Sequence, residues 1–140
     1  MADLIIVKTL YLKAPPAHVW KFLTDKKKLA LWFYEAAESL DAVGPYKLLT
    51  NSLGKEGEKI CWGEVLESEP PTRLVHTFTH DFLKETETIC TWTLAEADGG
   101  TILTLEHSGF ADVPEGAFDL AADHDKGWDE HFIRLRRITL

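Results

Sequence analysis

The order of its hydrophobic patterns constrains this chain most. From Asp41 to Phe110 almost every signal is strand or turn; after Pro114 the pattern changes once, to helix, through to the C-terminus. Tyr46 to Thr50, Lys59 to Glu67, Arg73 to His80, Thr86 to Ala95 and Thr101 to His107 read as strands. Polar Asn51 to Glu58 reads as a hairpin loop, Glu69-Pro70-Pro71-Thr72 as a turn, and Ala97-Asp98-Gly99-Gly100 as a tight hairpin. Strands in succession with helices segregated imply an α+β fold, not a doubly wound sheet.

Ahead of that run, Ile5 to Lys13 reads as a strand with Ile6, Leu10 and Leu12 on one face. Ala14-Pro15-Pro16 ends it, and proline suits the first turn of a helix, where its missing N–H would be unpaired. Helical spacing then predicts a helix over Ala17 to Thr24, with Val19, Trp20 and Leu23 inward, and a second over Lys27 to Phe33, with Leu29, Trp32 and Phe33 apolar. The terminal helix shows Leu120, Ala121, Trp128, Phe132, Leu135 and Ile138 on one face, and Arg134, Arg136 and Arg137 complement its dipole. One slender helix across a curved sheet leaves part of the concavity open, and a ligand belongs in that space.

At 140 residues the chain is read as one domain, residues 1–140. Its net charge of -8 and pI near 5.2 oppose nucleic-acid binding and docking to anionic membranes. The apolar runs fall short of the ~20 residues of a membrane helix, so no stable membrane insertion is expected. No basic segment precedes Leu4-Ile5-Ile6-Val7, so no secretory leader is expected. Cys61 and Cys90 form no CxxC and read as buried thiols of a cytoplasmic protein. Five Trp, seven Phe and three Tyr supply rings for a core or a pocket.

A set of motifs runs in order along nearly the whole chain. It comprises Ala14-Pro15-Pro16 with Val19-Trp20 and Leu23-Thr24-Asp25, then Leu31-Trp32-Phe33, and Gly63-Glu64-Val65 with Glu69-Pro70-Pro71-Thr72-Arg73-Leu74-Val75. Gly100 to Phe110 and Gly127-Trp128 with Leu135 complete it. The chain thereby resembles the branch of the START (SRPBCC, helix-grip) superfamily named after the activator of the Hsp90 ATPase. Gly44-Pro45 departs from the two glycines that many members carry there. The resemblance implies a sheet of six or seven strands wrapped around a long C-terminal helix, with two short helices after the first strand. It also implies a pocket for hydrophobic molecules, and no particular reaction. The founding activators carry this domain behind a separate N-terminal domain, not found in this sequence, so Hsp90 activation is a name carried over more than an inference.

Alternation assigns the faces. Cys90, Trp92 and Leu94 lie opposite Ile89, Thr91 and Thr93; Leu103, Leu105 and His107 share the inner face, as do Leu74, His76, Phe78 and His80. Around Gly63 the pattern is ambiguous, with Cys61, Gly63 and Val65 favoured inside and Trp62 outside. The expected cavity residues are Trp32, Phe33, Leu48, Cys61, His76, Phe78, Cys90, Trp92, Leu103, Leu105, His107, Gly127, Trp128 and His131. His76 and His107 read either as core histidines bonded to neighbours or as polar groups that orient a ligand. Gly127, costly inside a helix, reads either as close approach to the sheet or as room for a ligand beside Trp128. Trp32 and Phe33 read as core or as gate, and Asp123, His124 and Asp125 as a solvated helix face.

No metal or cofactor site is expected, because His76 and His80 are roughly 13 Å apart along a strand. No GxSxG, HExxH, P-loop or GxGxxG is present. A cyclase or hydrolase would need an inward acid or base, for which only His76, His107 and Glu67 qualify. Binding of a lipid, fatty acid or aromatic metabolite, as carrier or sensor, is therefore the expected function. A partner-binding module acting on a chaperone, with Trp62 in an exposed patch, is the alternative, and an enzyme the third reading.

Overall fold

The computed structural model describes residues 3–49, 59–83 and 85–139, without the Lys59 side chain; the Asn51 to Glu58 loop lies outside them. Seven strands form one antiparallel, curled sheet: β1 (Ile6–Leu12), β2 (Glu35–Ala36), β3 (Gly44–Leu49), β4 (Lys59–Glu69), β5 (Arg73–Phe78), β6 (Thr88–Ala97) and β7 (Gly100–Ser108). The helices are α1 (Pro16–Thr24), α2 (Lys26–Leu29) and α3 (Ala117–Ile138). Across the sheet the order is β1-β7-β6-β5-β4-β3-β2, so the chain's first strand closes one edge by pairing with its last. The hairpin joining β6 and β7 turns on Asp98 and Gly99, with φ of 51° and 84°, the pair of positive values that matches strand twist.

α1 starts on Pro16, and Asp25 both ends it and caps α2 by accepting from the Lys27 and Lys28 amides at 3.2 and 3.0 Å. The second helix is shorter than the Lys27 to Phe33 expected. After Leu29 the chain unwinds through a turn, and the Trp32 indole N–H donates to the Phe22 carbonyl at 2.8 Å. That bond buries Trp32 and leaves Phe33 and Tyr34 half-buried beside it. The two-residue β2, which no pattern predicts, follows directly and pairs with Leu48 and Leu49.

Register settles the face around Gly63. Leu48 lies opposite Cys61, Tyr46 opposite Gly63 and Gly44 opposite Val65, and Tyr46, Leu48, Cys61 and Val65 are buried. Trp62 is half-buried, and its backbone bridges Thr79. A bulge between Val65 and Glu67 turns Glu67 out of the hollow to an exposed ion pair with Arg73 at 3.3 Å. β5 stops at Phe78 rather than His80, and a 3-10 turn over Asp81–Leu83 follows.

α1 packs against β6 and β7, and α3 against β1. Lys8 reaches Asp125 and Asp129, one turn apart on α3, at 2.8 and 3.0 Å and ties the helix to that edge of the sheet. No helix among the described residues is long and apolar enough to cross a membrane.

Gly63 permits the close approach of β5. A Cβ there would run into the Thr77 carbonyl oxygen and lie 2.6 Å from Thr77 Oγ1, the group that accepts the Glu64 amide. Gly63→Ala should therefore force β5 away and cost about 2–3 kcal/mol, as overpacking does. Urea unfolding measures it, and a loss below about 0.5 kcal/mol would show that the contact yields freely.

Candidate functional site

Two stripes run along α3. Ala121, Trp128, Phe132 and Leu135 are buried in the core. Beside them Leu120, His124, Gly127 and His131 repeat at four, three and four residues, the spacing of one helix face. From His124 onward this second stripe borders a cavity of about 420 Å³, to which α3 contributes Asp123, His124, Gly127, Trp128 and His131. β4 adds Ile60 and Cys61, the turn after α2 adds Phe33 and Tyr34, and the end of β5 with its 3-10 turn adds Phe78, His80, Asp81 and Phe82. Asp81, Phe82 and Asp123 are exposed and mark the mouth.

Of the residues expected to line a cavity, Phe33, Cys61, Phe78, Gly127, Trp128 and His131 do so. Trp32, Leu48, His76, Cys90, Trp92, Leu103, Leu105 and His107 do not; all are buried in the core. The reason is an aromatic plug. Phe132 stacks between Trp32 (6.0 Å) and Trp128 (5.5 Å), and Trp92 meets Phe132 and Trp128 edge-on at 6.1 and 5.5 Å. These rings fill the hollow over the middle of the sheet, and the cavity opens at its β4–β5 margin. Trp32 thus belongs to the core, while Phe33, stacked on Trp128 at 5.2 Å, faces the cavity.

His76 and His107 are core histidines with both ring nitrogens engaged. The Trp92 indole donates to His76 Nε2 at 3.0 Å, which leaves the proton on Nδ1, 2.9 Å from both the Tyr46 hydroxyl and the Thr77 carbonyl. The Trp128 indole donates to His107 Nδ1 at 3.0 Å, so His107 Nε2–H donates to Thr88 Oγ1 at 2.7 Å, and that hydroxyl donates to the Phe78 carbonyl at 2.6 Å. Burial lowers His76 to about 4. It holds His107 well below the usual histidine range, with His124, His76 and His80 adding to the effect. With Glu67 turned outward, none of the three acid–base candidates reaches the cavity.

His124 is not on a solvated face. Its Nδ1–H donates to the Leu120 carbonyl at 2.7 Å, so its Nε2 accepts from His80 Nε2–H, also at 2.7 Å. The pair links the end of β5 to α3, and His80 Nδ1 is buried with no partner among the described residues. Burial lowers both histidines, His80 to about 4, where His124 assists and Asp81 opposes. At the other end of the stripe His131 Nδ1 accepts from Arg134 Nη2 at 2.5 Å, while Arg134 Nε donates to the Trp32 carbonyl at 3.2 Å. Burial, then the Arg134 charge, lowers His131 to about 4. Burial pushes the Cys61 thiol up to about 12, so it is no nucleophile at neutral pH.

Spacing in the sequence could have found His124, which stands three residues after Ala121 and four before Trp128. Tyr34, Asp81, Phe82 and Asp123 carry no such signal, since the first three sit in irregular turns and Asp123 is an exposed rim residue. Among the described residues no cluster of three or more potential metal ligands is assembled.

A curled antiparallel sheet gripping a long terminal helix, with an apolar cavity at their margin, defines the helix-grip class of START-like proteins. Residues 13–139 match the family described as activator of Hsp90 ATPase homolog 1-like protein, and the chain belongs to it. Among solved structures, CalU16 from Micromonospora echinospora is 25% identical with a TM-score of 0.74, over 94% of this chain and 73% of that one. Protein MLL2253 from Mesorhizobium loti has a TM-score of 0.78 at 24% identity, over 95% of this chain and 94% of its own. An HSP90 activator from Plasmodium falciparum, PFC0360w, shares the fold at 20% identity and a TM-score of 0.62, over 75% and 72% of the two chains. No curated protein matches this chain.

Lowered histidines make stability depend on pH. Between about pH 6.5 and 4 the unfolded chain binds protons that buried His76 and His107 refuse, so stability is complete above that window and lost as pH falls through it. His76 alone contributes about 3 kcal/mol at full effect. His76→Leu should cost about 1–3 kcal/mol at pH 7.5 by stranding the Trp92 indole donor; the Tyr46 hydroxyl keeps its bond to the Thr77 carbonyl. It should cost clearly less at pH 5. Denaturant unfolding at the two pH values checks this, and an equal loss at both contradicts the neutral, buried ring.

Proposed function

We propose that the chain binds one small, neutral, apolar molecule in the cavity beside α3, as a cytoplasmic carrier or sensor. One observation carries the reading. Gly127 sits mid-helix, borders the cavity, and a Cβ built on it meets nothing within 4 Å. Glycine there costs about 1 kcal/mol relative to alanine. No close contact with the sheet calls for it, and the space beside Trp128 does. The cavity's size is within the range of small-molecule pockets, roughly 300–1,000 Å³.

Charge narrows the ligand. No described lining residue is Lys or Arg, while Asp81 and Asp123 stand at the mouth. An anion such as a fatty acid would meet no counter-charge and two repulsive ones, so an uncharged aromatic metabolite fits better. The stacked walls of Phe33, Phe78 and Trp128 suit a flat ring.

The family's description supports a second reading, a regulatory partner of a chaperone. Its apolar contacts would be Phe82 and Phe118, 78% and 71% exposed, rather than half-buried Trp62.

Gly127→Leu separates the two. It should fill the cavity and stabilise the free protein by about 1 kcal/mol through helix propensity. It should also abolish uptake of a neutral solvatochromic dye such as Nile red. Dye binding unchanged by the substitution would sink the cavity reading. A rise in Hsp90 ATPase rate on titration, surviving Gly127→Leu, would establish the chaperone reading.

A further inference from the structure

We infer that Tyr34 and His131 form a pair of hydrogen-bond donors that selects, among neutral apolar molecules, those bearing a carbonyl oxygen. This rests on the cavity reading above and names the chemistry that reading leaves open.

Arg134 fixes the tautomer of His131. A guanidinium only donates, so the 2.5 Å approach of Arg134 Nη2 makes His131 Nδ1 an acceptor; the Trp32 carbonyl, 3.2 Å from that nitrogen, takes its proton from Arg134 Nε instead. The neutral ring then carries its proton on Nε2. That nitrogen has no partner among the described residues, and it is not among their sealed, unpartnered polar atoms. Burial and the Arg134 charge keep the ring neutral at physiological pH, so this tautomer persists. His131 is thus a donor at the cavity wall with its acceptor missing.

Tyr34 stands beside it, with ring centroids 5.7 Å apart, and both rings lean on Phe33. The Tyr34 hydroxyl has no hydrogen-bond partner among the described residues. Burial first, then Cys61, raises its pKa against the opposing pull of Arg134. It therefore remains an O–H donor. Two neutral donors on an apolar wall call for one oxygen with two lone pairs, which a ketone or quinone oxygen supplies. A hydrocarbon would desolvate both donors without replacing their bonds, a penalty that makes such sites discriminate strongly. A carboxylate also accepts, but Arg134, outside the lining, already donates to His131 and the Trp32 carbonyl, and no described lining residue is Lys or Arg.

Three probes of one shape test this: 2-acetonaphthone, 2-ethylnaphthalene and 2-naphthoate, titrated by tryptophan fluorescence at pH 7.5. The ketone should bind at least about tenfold more tightly than the hydrocarbon and the carboxylate, the size two modest hydrogen bonds give. Tyr34→Phe and His131→Phe should each weaken the ketone by about three- to tenfold and leave the hydrocarbon unchanged. In the wild-type protein the bound carbonyl stretch should move to lower wavenumber, and it should move back in either variant. Equal binding of ketone and hydrocarbon, or an unshifted stretch, would overturn the donor pair while leaving the cavity reading standing; tightest binding of naphthoate would overturn the donor pair and the choice of a neutral ligand together. If neither neutral probe bound, both would fall.

Discussion

The hydrogen bond from the Trp128 indole to His107 fixes how closely α3 approaches the sheet. His107 cannot move to meet the helix, because its other nitrogen is held through Thr88 to the Phe78 carbonyl on β5. A bond of this kind specifies a separation as well as stabilising it, since either partner left alone in the interior would be an unsatisfied polar group. A second indole–imidazole bond, from Trp92 on β6 to His76 on β5, joins neighbouring strands beneath the plug. Both indoles sit in the aromatic plug with Trp32 and Phe132, so the Trp128 bond and ring packing set the helix position together. Lys8, paired with Asp125 and Asp129, holds the opposite flank of the helix against β1.

With its height set along one stripe, α3 cannot settle into the remaining hollow, and the stripe beside it overhangs open space. Gly127 enlarges that space where a larger side chain would have filled it. The walls there divide by chemistry. Phe33, Phe78 and Trp128 give flat apolar surface, Tyr34 and His131 give donors, and the acidic groups stay at the rim. Such a cavity favours an uncharged, ring-shaped molecule whose polar atom accepts hydrogen bonds.

The fold was legible because its elements have strong periods and a simple order. The β6–β7 hairpin, the N-terminal proline of α1 and the single terminal helix each follow from local chemistry. The site was less legible, for a geometric reason. Alternation tells which face of a strand a residue occupies, but not how far along the curved sheet the covering helix extends. Leu103, Leu105, His76 and His107 are inward as expected yet lie under the plug, whereas Cys61 and Phe78, equally inward, border open space. His124 was misread because its acidic neighbours, Asp123 and Asp125, suggested solvent. Tyr34 and Phe82 gave no signal, since turns place side chains by tertiary contact rather than by period. The bulge that turns Glu67 outward is likewise a matter of β4–β5 register, which only the assembled sheet reveals.

The central claim is that the space beside Gly127 is a binding site and not a packing remnant. The most direct measurement is a proton–nitrogen correlation spectrum of the labelled protein, titrated with a neutral bicyclic aromatic ketone. The account predicts saturable shifts concentrated at Phe33 and Tyr34, Ile60 and Cys61, Phe78 to Phe82, and Asp123 to His131, with Leu103 and Leu105 still. No shifts at saturating ketone, or shifts spread evenly over the surface, would contradict it.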